Sequence, residues 1–352
     1  MSASHGTLSR MRPALKPGLL PVWRDRDTLQ IGTDPRRAVA LTGMRSAAAV
    51  LSLLDGSRDR GQVIAAAAVR GVQADAADRV ITLLTAAGAL CDFPSSTIAT
   101  VPDEARARLA AELATASLAH GDGDGGAHVL VRRQGAVIRV HGTGEVGSCI
   151  ASLLAASGIG RVVSVGPAAA CPPPRGPAPG DRPPPLPSAA APRRVPGGKP
   201  PVTRSQAGKR PDLAVLAGRH DPEIASALVR DRIPHLAASA GEAIGVVGPL
   251  VVAGRSACLR CLDLTRSDRD PAWPLILAQM AGQQPDPLAC DAPLAAAVAA
   301  LAAAQALTFI DRPAEPGATI NGTLELVLPD WQWRRRTWPP HRDCSCGRLH
   351  PR

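Results

Sequence analysis

The sequence predicts an α/β protein in which a small α+β domain precedes a larger domain of the nucleotide-binding type, closed by a metal ion. Three features support this prediction: a glycine-rich turn between a strand and a helix, two cysteine pairs far apart in the chain, and an N-terminal series of short strands and helices. The length of 352 residues allows two or three domains, and the hydrophobic fraction of 45% is typical of globular proteins.

The N-terminal segment carries no export signal. Residues 1–16 are polar and basic and lack the apolar stretch of a secretory signal peptide, so we expect them to be disordered. Without secretion, disulfide bonds are not favoured. The eight cysteines therefore indicate metal or redox chemistry in a cytoplasmic protein.

Residues 17–95 show the pattern of a winged-helix domain. Short strands are predicted at 22–25, 28–31, 38–41 and 89–91. Helices are predicted at 44–54, 58–70 and 75–87. Each helix is followed by a glycine, the residue that best adopts the left-handed conformation after a helix end. A linker follows at 96–126, with a helix over 102–120 and then a stretch rich in glycine and aspartate.

The second domain is predicted over 127–352 and begins with a strand–turn–helix pattern. Strands at 129–131 and 137–140 lead to the glycine-rich turn, and a helix and a strand at 161–165 follow it. Residues 167–209 are predicted to be a disordered insertion. The reason is that 13 prolines fall within the 34 residues 167–200, and proline supports neither helix nor strand.

Regular structure is expected again after the insertion. The predicted elements are a strand at 212–217, a helix at 221–230, a strand at 233–236, a hairpin at 243–252, helices within 271–310 and a strand at 323–328. The segment 292–310 is apolar over nearly the length of a membrane span, but it contains Gln305 and Thr308 and lacks flanking anchors. We therefore expect a buried helix there.

Two close cysteine pairs indicate a zinc site. Cys258 and Cys261 form the first pair, Cys344 and Cys346 form the second, and 82 residues lie between the pairs. Four thiolates suit tetrahedral zinc, because each short loop can offer two sulfurs to one side of the ion. Such an ion would tie the C-terminal tail to the folded domain. His341 is close enough in sequence to replace one cysteine, and four buried cysteines that act only as small apolar residues are the alternative.

The glycine-rich turn allows two interpretations. Gly142, Gly144 and Gly147 follow the spacing that lets the backbone approach a phosphate group at a helix N-terminus. The same spacing also occurs in tight structural turns that bind nothing.

Taken in order, these motifs resemble the ThiF/MoeB family of ubiquitin-activating-type adenylyltransferases. The resemblance spans residues 128–347 and includes the glycine turn, the segment 212–221, the segment 248–261 and both cysteine pairs. The run after Cys261, together with Trp338-Pro-Pro-His341, is similar to an actinobacterial branch of that family, which resembles leader-peptide-binding proteins of azole-forming (TOMM) pathways. Those proteins carry a PqqD-like winged-helix module that captures a leader peptide along a strand edge, and residues 17–95 fit that module.

The resemblance implies binding of ATP and Mg²⁺ and adenylation of a C-terminal carboxylate of a peptide or small protein. Gly142, Gly144 and Gly147 would hold phosphates, and Asp221 would help to hold Mg²⁺. The sequence departs from the family at Gly166, where an acidic ribose ligand is expected, and at the proline-rich stretch, which replaces a helix bearing Asn and Arg. The chain therefore either adenylates its substrate or, having lost its ATP-binding residues, only presents a peptide to a partner enzyme.

Two other functional classes remain open. A net charge of +10 and a winged helix would suit a DNA-binding regulator, although the predicted third helix sets Arg79 against Asp75 and Asp78. An NAD-dependent oxidoreductase is disfavoured by Gly166 and by the cysteine pairs. We expect a peptide or small-protein partner and a modification enzyme as a further partner. The sequence also allows a homodimer, and we expect neither nucleic acid nor membrane as a partner.

Overall fold

The structure is a computed structural model that describes residues 11–43, 46–93, 102–142, 144–166, 209–218, 222–280, 288–315 and 317–346. Asp221 and all but the last residue of the expected insertion 167–209 lie outside these ranges. The chain divides into two compact units, Met1–Arg132 and Arg133–Arg352. Both units mix helices with strands, which confirms the predicted α/β class.

The first unit contains two small antiparallel sheets and several short helices. Its strands are β1 (Pro13–Leu15), β2 (Pro21–Trp23), β3 (Thr28–Ile31), β4 (Val39–Thr42) and β5 (Leu90–Asp92). Its helices are α1 (Ala47–Leu51), α2 (Arg60–Val69), α3 (Ala74–Ala86), α4 (Asp103–Arg108) and α5 (Ala110–His120). Strands β2, β3 and β4 form one sheet in that order, and β1 pairs with β5.

Apolar side chains from the three-stranded sheet and from α1, α2 and α3 form the core of this unit. Leu29 and Ile31 of β3 and Leu41 of β4 point into it, while their neighbours Gln30 and Ala40 lie nearer the surface. This alternation is that of a sheet with one buried face. Helix α2 begins at a capping box. The Asp59 side chain accepts a hydrogen bond from the Gln62 backbone N–H, and the Gln62 side chain accepts one from the Asp59 backbone N–H.

Strand β1 lies within the segment 1–16 that was expected to be disordered. Three residues are too few for a recognisable apolar period, and their partners Leu90–Asp92 lie far along the chain. The next residue, Lys16, is only 2% exposed, and its Nζ donates a hydrogen bond to the Ser117 carbonyl oxygen at 3.0 Å. Burial lowers the pKa of Lys16. Long-range contacts therefore order the start of this unit.

The second unit is built on one seven-stranded mixed sheet. Helix α6 (Ala127–Gly135) runs across the division between the units. The strands are β6 (Val137–His141), β7 (Arg161–Val165), β8 (Leu213–Ala217), β9 (His235–Gly241), β10 (Ile244–Val251), β11 (Gly322–Val327) and β12 (Gln332–Thr337). The helices are α7 (Glu145–Ala156), α8 (Pro222–Arg230), α9 (Leu259–Arg269), α10 (Trp273–Met280) and α11 (Ala292–Asp311).

The sheet combines parallel and antiparallel halves. Its strand order is β12-β11-β10-β9-β8-β6-β7. Strands β7, β6, β8 and β9 run parallel, whereas β10, β11 and β12 continue the sheet as antiparallel neighbours. The carboxyl ends of β6, β7 and β8 therefore lie at one edge, where ligands of open α/β sheets bind.

Two elements of this unit differ from the prediction. The expected strand at 129–131 is wrong, because these residues lie inside α6, where the Leu130 N–H bonds to the Gly126 carbonyl four positions earlier. A run of three apolar residues fits a helix or a strand equally well. Strand β12 was not predicted, because it is an edge strand whose six residues are all exposed and so show no apolar alternation.

Helix α11 is the central core helix of the second unit. It is the one helix in the described ranges that is long and apolar enough to cross a membrane. Its buried face packs on α7 and on strands β9 and β10, as expected for a core helix. Gly245 of β10 lets this helix approach, because a Cβ there would collide with Val298.

A buried ion pair joins the end of α11 to α6. Arg133 and Asp311 are 7% and 3% exposed. Arg133 Nε donates to Asp311 Oδ1 at 2.9 Å, and Nη2 donates to Oδ2 at 2.7 Å. The guanidinium also donates to the Ser157 carbonyl oxygen. A bidentate pair whose guanidinium makes a further hydrogen bond can stay charged when buried.

We predict that breaking this pair on one side destabilises the chain strongly. Asp311→Asn leaves a buried guanidinium without its counter-charge and should lower the free energy of unfolding by about 3–5 kcal/mol. The double variant Arg133→Met/Asp311→Leu should lose clearly less than the sum of the single losses. Urea unfolding of the four full-length proteins measures this coupling, and additive losses would contradict the assignment.

Candidate metal centre and glycine loop

The four predicted cysteines lie together in the second unit. Their sulfur atoms all lie within 4.8 Å of one another, and all four residues are buried. The closest sulfur pairs are Cys258–Cys261 at 3.7 Å, Cys258–Cys344 at 3.6 Å and Cys261–Cys346 at 3.3 Å. Four converging thiols of this kind could hold a metal ion.

A helix N-terminus and a tight turn present the two cysteine pairs. Cys258 is the N-cap residue of α9, and Cys261 lies in the first turn of that helix, where its N–H bonds to the Cys258 carbonyl oxygen at 2.9 Å. In the tail, the Cys344 N–H bonds to the His341 carbonyl oxygen at 3.0 Å. Both segments therefore turn sharply enough to place two sulfurs on one side of a shared centre.

Asn321 links the two halves of the centre. Its Oδ1 accepts a hydrogen bond from the Ala257 N–H at 2.7 Å, next to the first cysteine. Its carbonyl oxygen accepts one from the Trp338 N–H at 2.9 Å, at the start of the tail. Asn321 has a positive φ of 51°, a conformation that asparagine tolerates better than most residues. No sequence motif marks this position.

Trp338 closes the centre on its inner side. It is 2% exposed, and its indole Nε1 donates to Thr323 Oγ1 at 2.9 Å. The guanidinium groups of Arg266 and Arg336 lie over its ring, 5.2 and 5.5 Å from the ring centre. The buried indole excludes water from one side of the cysteine cluster.

His341 is not placed as a ligand. Its Nε2 donates to Asp268 at 2.8 Å, and its Nδ1 accepts a hydrogen bond from the Asp343 N–H at 3.2 Å. Both ring nitrogens are thus engaged beside the cluster, whose four positions are all sulfur. The histidine supports the turn that carries Cys344.

The donor set fits a thiophilic ion in a closed site. Tetrahedral sulfurs about 2.3 Å from a zinc ion lie about 3.8 Å apart, close to the distances between these thiols. Hydrogen bonding with Cys261 raises the pKa of Cys258 to about 12, while hydrogen bonds with Cys258 and Cys346 lower the pKa of Cys261. An ion would displace the remaining protons, and four protein ligands would leave no position for a substrate. Its role would be structural.

The glycine turn connects β6 to α7. Gly142 has a φ of +106°, and a Cβ there would collide with the Ala217 carbonyl oxygen of β8. A Cβ on Gly147 would collide with the Gly142 carbonyl oxygen. Both glycines are therefore required by the close packing of loop, helix and sheet, whether or not a ligand binds.

Gly144 is different, because neither packing nor backbone conformation requires a glycine there. It has an extended backbone, with φ −62° and ψ −179°, and no atom of the described residues lies within 4 Å of the position of its Cβ. It is the N-cap residue of α7, and no side chain caps that helix. Open space over a helix N-terminus is where a phosphate group can approach the backbone.

The other expected nucleotide ligands are missing or lie outside the described ranges. Gly166 follows β7, so the ribose-binding carboxylate of the resembled family has no counterpart there. Asp221, the expected Mg²⁺ ligand, lies just before α8 and outside the described residues. Asp212 accepts a hydrogen bond from the Val137 N–H at 2.8 Å, so its carboxylate serves the sheet.

Known proteins resemble this chain in fold and not in close sequence. No family model and no curated protein matches it. E. coli MccB, crystallised with AMPCPP and selenomethionine MccA, is 15% identical with a TM-score of 0.62, over 96% of this chain and 100% of that one. The heterocyclase TruD is 15% identical with a TM-score of 0.60, over 96% and 43%. A heterocyclase in complex with substrate and cofactor is 16% identical with a TM-score of 0.63, over 96% and 40%.

These likenesses establish the fold. The chain matches the whole length of MccB and less than half of each heterocyclase. The chain therefore shares its fold with MccB and the heterocyclases, and its expected membership of an adenylyltransferase family stays a prediction. The finer assignment of a PqqD-like module stays a prediction.

We predict that the cysteine cluster carries about one metal ion per chain. Elemental analysis of the purified full-length protein should detect it, and Cys258→Ser should lower both the metal content and the melting temperature, because metal affinity contributes to folding. Cys290→Ser, a change at a cysteine outside the cluster, is the matched control and should keep the metal. A wild-type protein that contains no metal and melts at the same temperature as Cys258→Ser would contradict the prediction.

Proposed function

We propose that this chain binds a precursor peptide along the free edge of β4 and presents it to a modifying enzyme in a ribosomal peptide pathway. The observation that carries the proposal is that β4 is an edge strand, with no further strand beside it among the described residues. The fold shared with MccB and the heterocyclases supports the peptide-modification context. We further propose that the ion of the cysteine cluster is zinc, which holds the C-terminal tail in place.

The backbone of β4 is ready to pair with an added strand. The Gly43 N–H bonds to the Asp27 carbonyl oxygen, and antiparallel pairs alternate between bonded and non-bonded partners. Val39 and Leu41 therefore bond to β3, whereas Ala40 and Thr42 direct their N–H and C=O groups outward. Both of these residues are exposed. An extended peptide can pair with such an edge through its main chain.

The opposite edge of the same sheet is a poorer partner. By the same alternation, Pro21 and Trp23 of β2 face outward, since the Arg24 N–H bonds to the Thr28 carbonyl oxygen. Pro21 has no N–H to donate, and strand interiors with proline pair badly. The proposed edge is therefore β4.

The second unit supports presentation of a peptide more than its adenylation. Gly166 stands where the resembled family has a ribose-binding carboxylate, and a proline-rich sequence stands where that family has Asn and Arg, so few expected groups remain to hold a nucleotide or to offset the charge of a transferring phosphoryl group. Each lost donor of this kind typically costs on the order of 10²–10³ in rate. We infer weak or undetectable ATP binding by the isolated chain.

Adenylyltransferase activity is the second candidate, and Gly144 favours it. One solved MccB structure contains ATP. The open space above Gly144 leaves room for a phosphate group at the start of α7. If ATP binds, the chain would activate a peptide carboxylate rather than only present it.

A DNA-binding role has little support in the first unit. Helix α3 would be the recognition helix, and it carries Asp75 and Asp78 against a single Arg79. Arg60 reaches across from α2 and pairs with Asp78 at 2.7 Å, so that arginine is already engaged. A recognition helix needs cations that are free to meet phosphates.

Peptide binding at β4 can be tested with two variants of one exposed residue. Ala40→Pro removes an outward N–H and leaves the bonds to β3 in place, so it should weaken peptide binding at least about tenfold. Ala40→Val keeps the N–H and should bind as the wild type does. Full-length proteins are compared on peptides selected from a displayed random library. Equal binding by both variants, or salt-sensitive binding to duplex DNA alone, would reverse the assignment.

ATP binding can be tested at the glycine turn. Calorimetry of the full chain with ATP and Mg²⁺ should give weak or undetectable heat. Gly144→Val should leave the melting temperature unchanged, whereas Gly142→Ala should lower it through the collision with Ala217. Micromolar affinity for ATP that Gly144→Val abolishes would overturn the hypothesis that the chain only presents a peptide, and would favour adenylyltransferase activity.

A further inference from the structure

One face of the large sheet carries basic side chains near the carboxyl end of β6. Ile138 and Val140 point into the core beneath α7, so the alternate residues Arg139 and His141 point to the opposite face. Their neighbours on β8 confirm this, because Ala214 and Leu216 pack with α8. Arg139 and His141 therefore lie on the α8 face of the sheet, about 7 Å apart along the strand.

His141 has a buried ring nitrogen that meets no partner within the described ranges. Its Nε2 is shielded from solvent, and no hydrogen bond to it is found there. Burial and then the positive charge of Arg139 lower the pKa of His141, and no carboxylate offsets them. A buried polar atom without a partner costs free energy, which favours a role in binding.

Two half-buried arginines share this face, and neither has a counter-charge among the described residues. Arg139 lies between β7 and β8 at mid-strand, and Arg161 begins the edge strand β7, level with Val137. Among the described residues, no ion pair or hydrogen bond engages either guanidinium. The chain between β7 and β8 offers little compensation in its sequence, because Asp181 is the one acidic residue in 167–208. Its basic residues are Arg175, Arg182, Arg193, Arg194, Lys199 and Arg204.

The position of these groups in the sheet is one at which ligands bind. The chain passes from β6 to β7 on one side, and β8 lies on the other side of β6, so the direction of the connections changes between β6 and β8. In open α/β sheets the ligand crevice lies outside the strand ends at such a switch point. His141 is the last residue of β6 at that point.

We propose that Arg139 and His141 bind a phosphoryl group on the α8 face of the sheet, while Arg161 adds positive charge to the same face nearer the amino ends of the strands. A guanidinium fork matches two phosphate oxygens, and His141 Nε2 supplies one further hydrogen bond. The site is distinct from the glycine turn, where the backbone N–H groups at the start of α7 would bind a phosphate. The expected ligand is free phosphate or pyrophosphate, since weak or undetectable ATP binding is inferred above, and the site does not depend on peptide binding at β4.

Melting curves and calorimetry of the full chain with inorganic phosphate, pyrophosphate, AMP and ATP test this proposal. At least one of these anions should bind and raise the melting temperature of the wild type. Arg139→Met should weaken that binding at least about tenfold. It should leave the melting temperature of the ligand-free protein unchanged or higher, because it removes a half-buried charge without a partner. A structural role would instead lower that temperature.

The matched controls separate this site from others. Arg230→Gln changes an exposed arginine on α8 and should bind as the wild type does. His141→Phe should weaken binding as Arg139→Met does. A response to phosphate or pyrophosphate alone identifies a free anion, as expected, and a response to AMP or ATP alone would identify a nucleotide and contradict the weak ATP binding inferred above.

Two results would overturn the proposal. One is the absence of any shift with all four anions. The other is binding that Gly144→Val abolishes and Arg139→Met leaves intact, which would place the ligand at the glycine turn. Ala40→Pro should not affect anion binding, so failure of the peptide assignment is distinguishable from failure of this one.

Discussion

The convergence of four buried thiols is the constraint on which the second unit depends. Cys258 and Cys261 follow the central strand β10, whereas Cys344 and Cys346 belong to the C-terminal tail. Without an ion, such a cluster would bury several polar sulfur groups with only each other as partners. With an ion, the same four groups become a strong cross-link. The tail, β12 and the buried Trp338 then keep their places because both ends of this segment are held.

The close approach of backbone at the glycine turn is a second constraint, and it explains why the motif alone is ambiguous. Gly142 and Gly147 must be glycines, because a Cβ on either would collide with a backbone carbonyl group, that of Ala217 or of Gly142 respectively. Only Gly144 is free of such a requirement. A chain that had lost its nucleotide would thus still keep two of the three glycines, since the packing of α7 on the sheet demands them.

Buried and half-buried charges of the second unit are of two kinds, those with a counter-charge and those without one. Positive charge gathers on the α8 face of the sheet at Arg139 and Arg161, where no carboxylate of the described residues meets it. The ion pair of Arg133 with Asp311, by contrast, is bidentate and almost fully buried. The arginines without counter-charges cost stability, whereas Arg133 and Asp311 each stabilise the charge of the other. Partly buried charge without a counter-charge is a common feature of functional sites.

The sequence by itself determined the α/β class, the core helix α11 and the four cysteines as a group, because these depend on composition, periodicity and the short spacing within each pair. It could not place Asn321, Lys16 or His341, since their roles arise from contacts with residues distant in the chain. It also missed β1 and β12, which are short or fully exposed strands that exist only through their partners. Only the tertiary structure separated Gly144 from its neighbours and placed Arg139 beside His141 on one face, because side-chain direction and free space follow from the packing of the whole sheet.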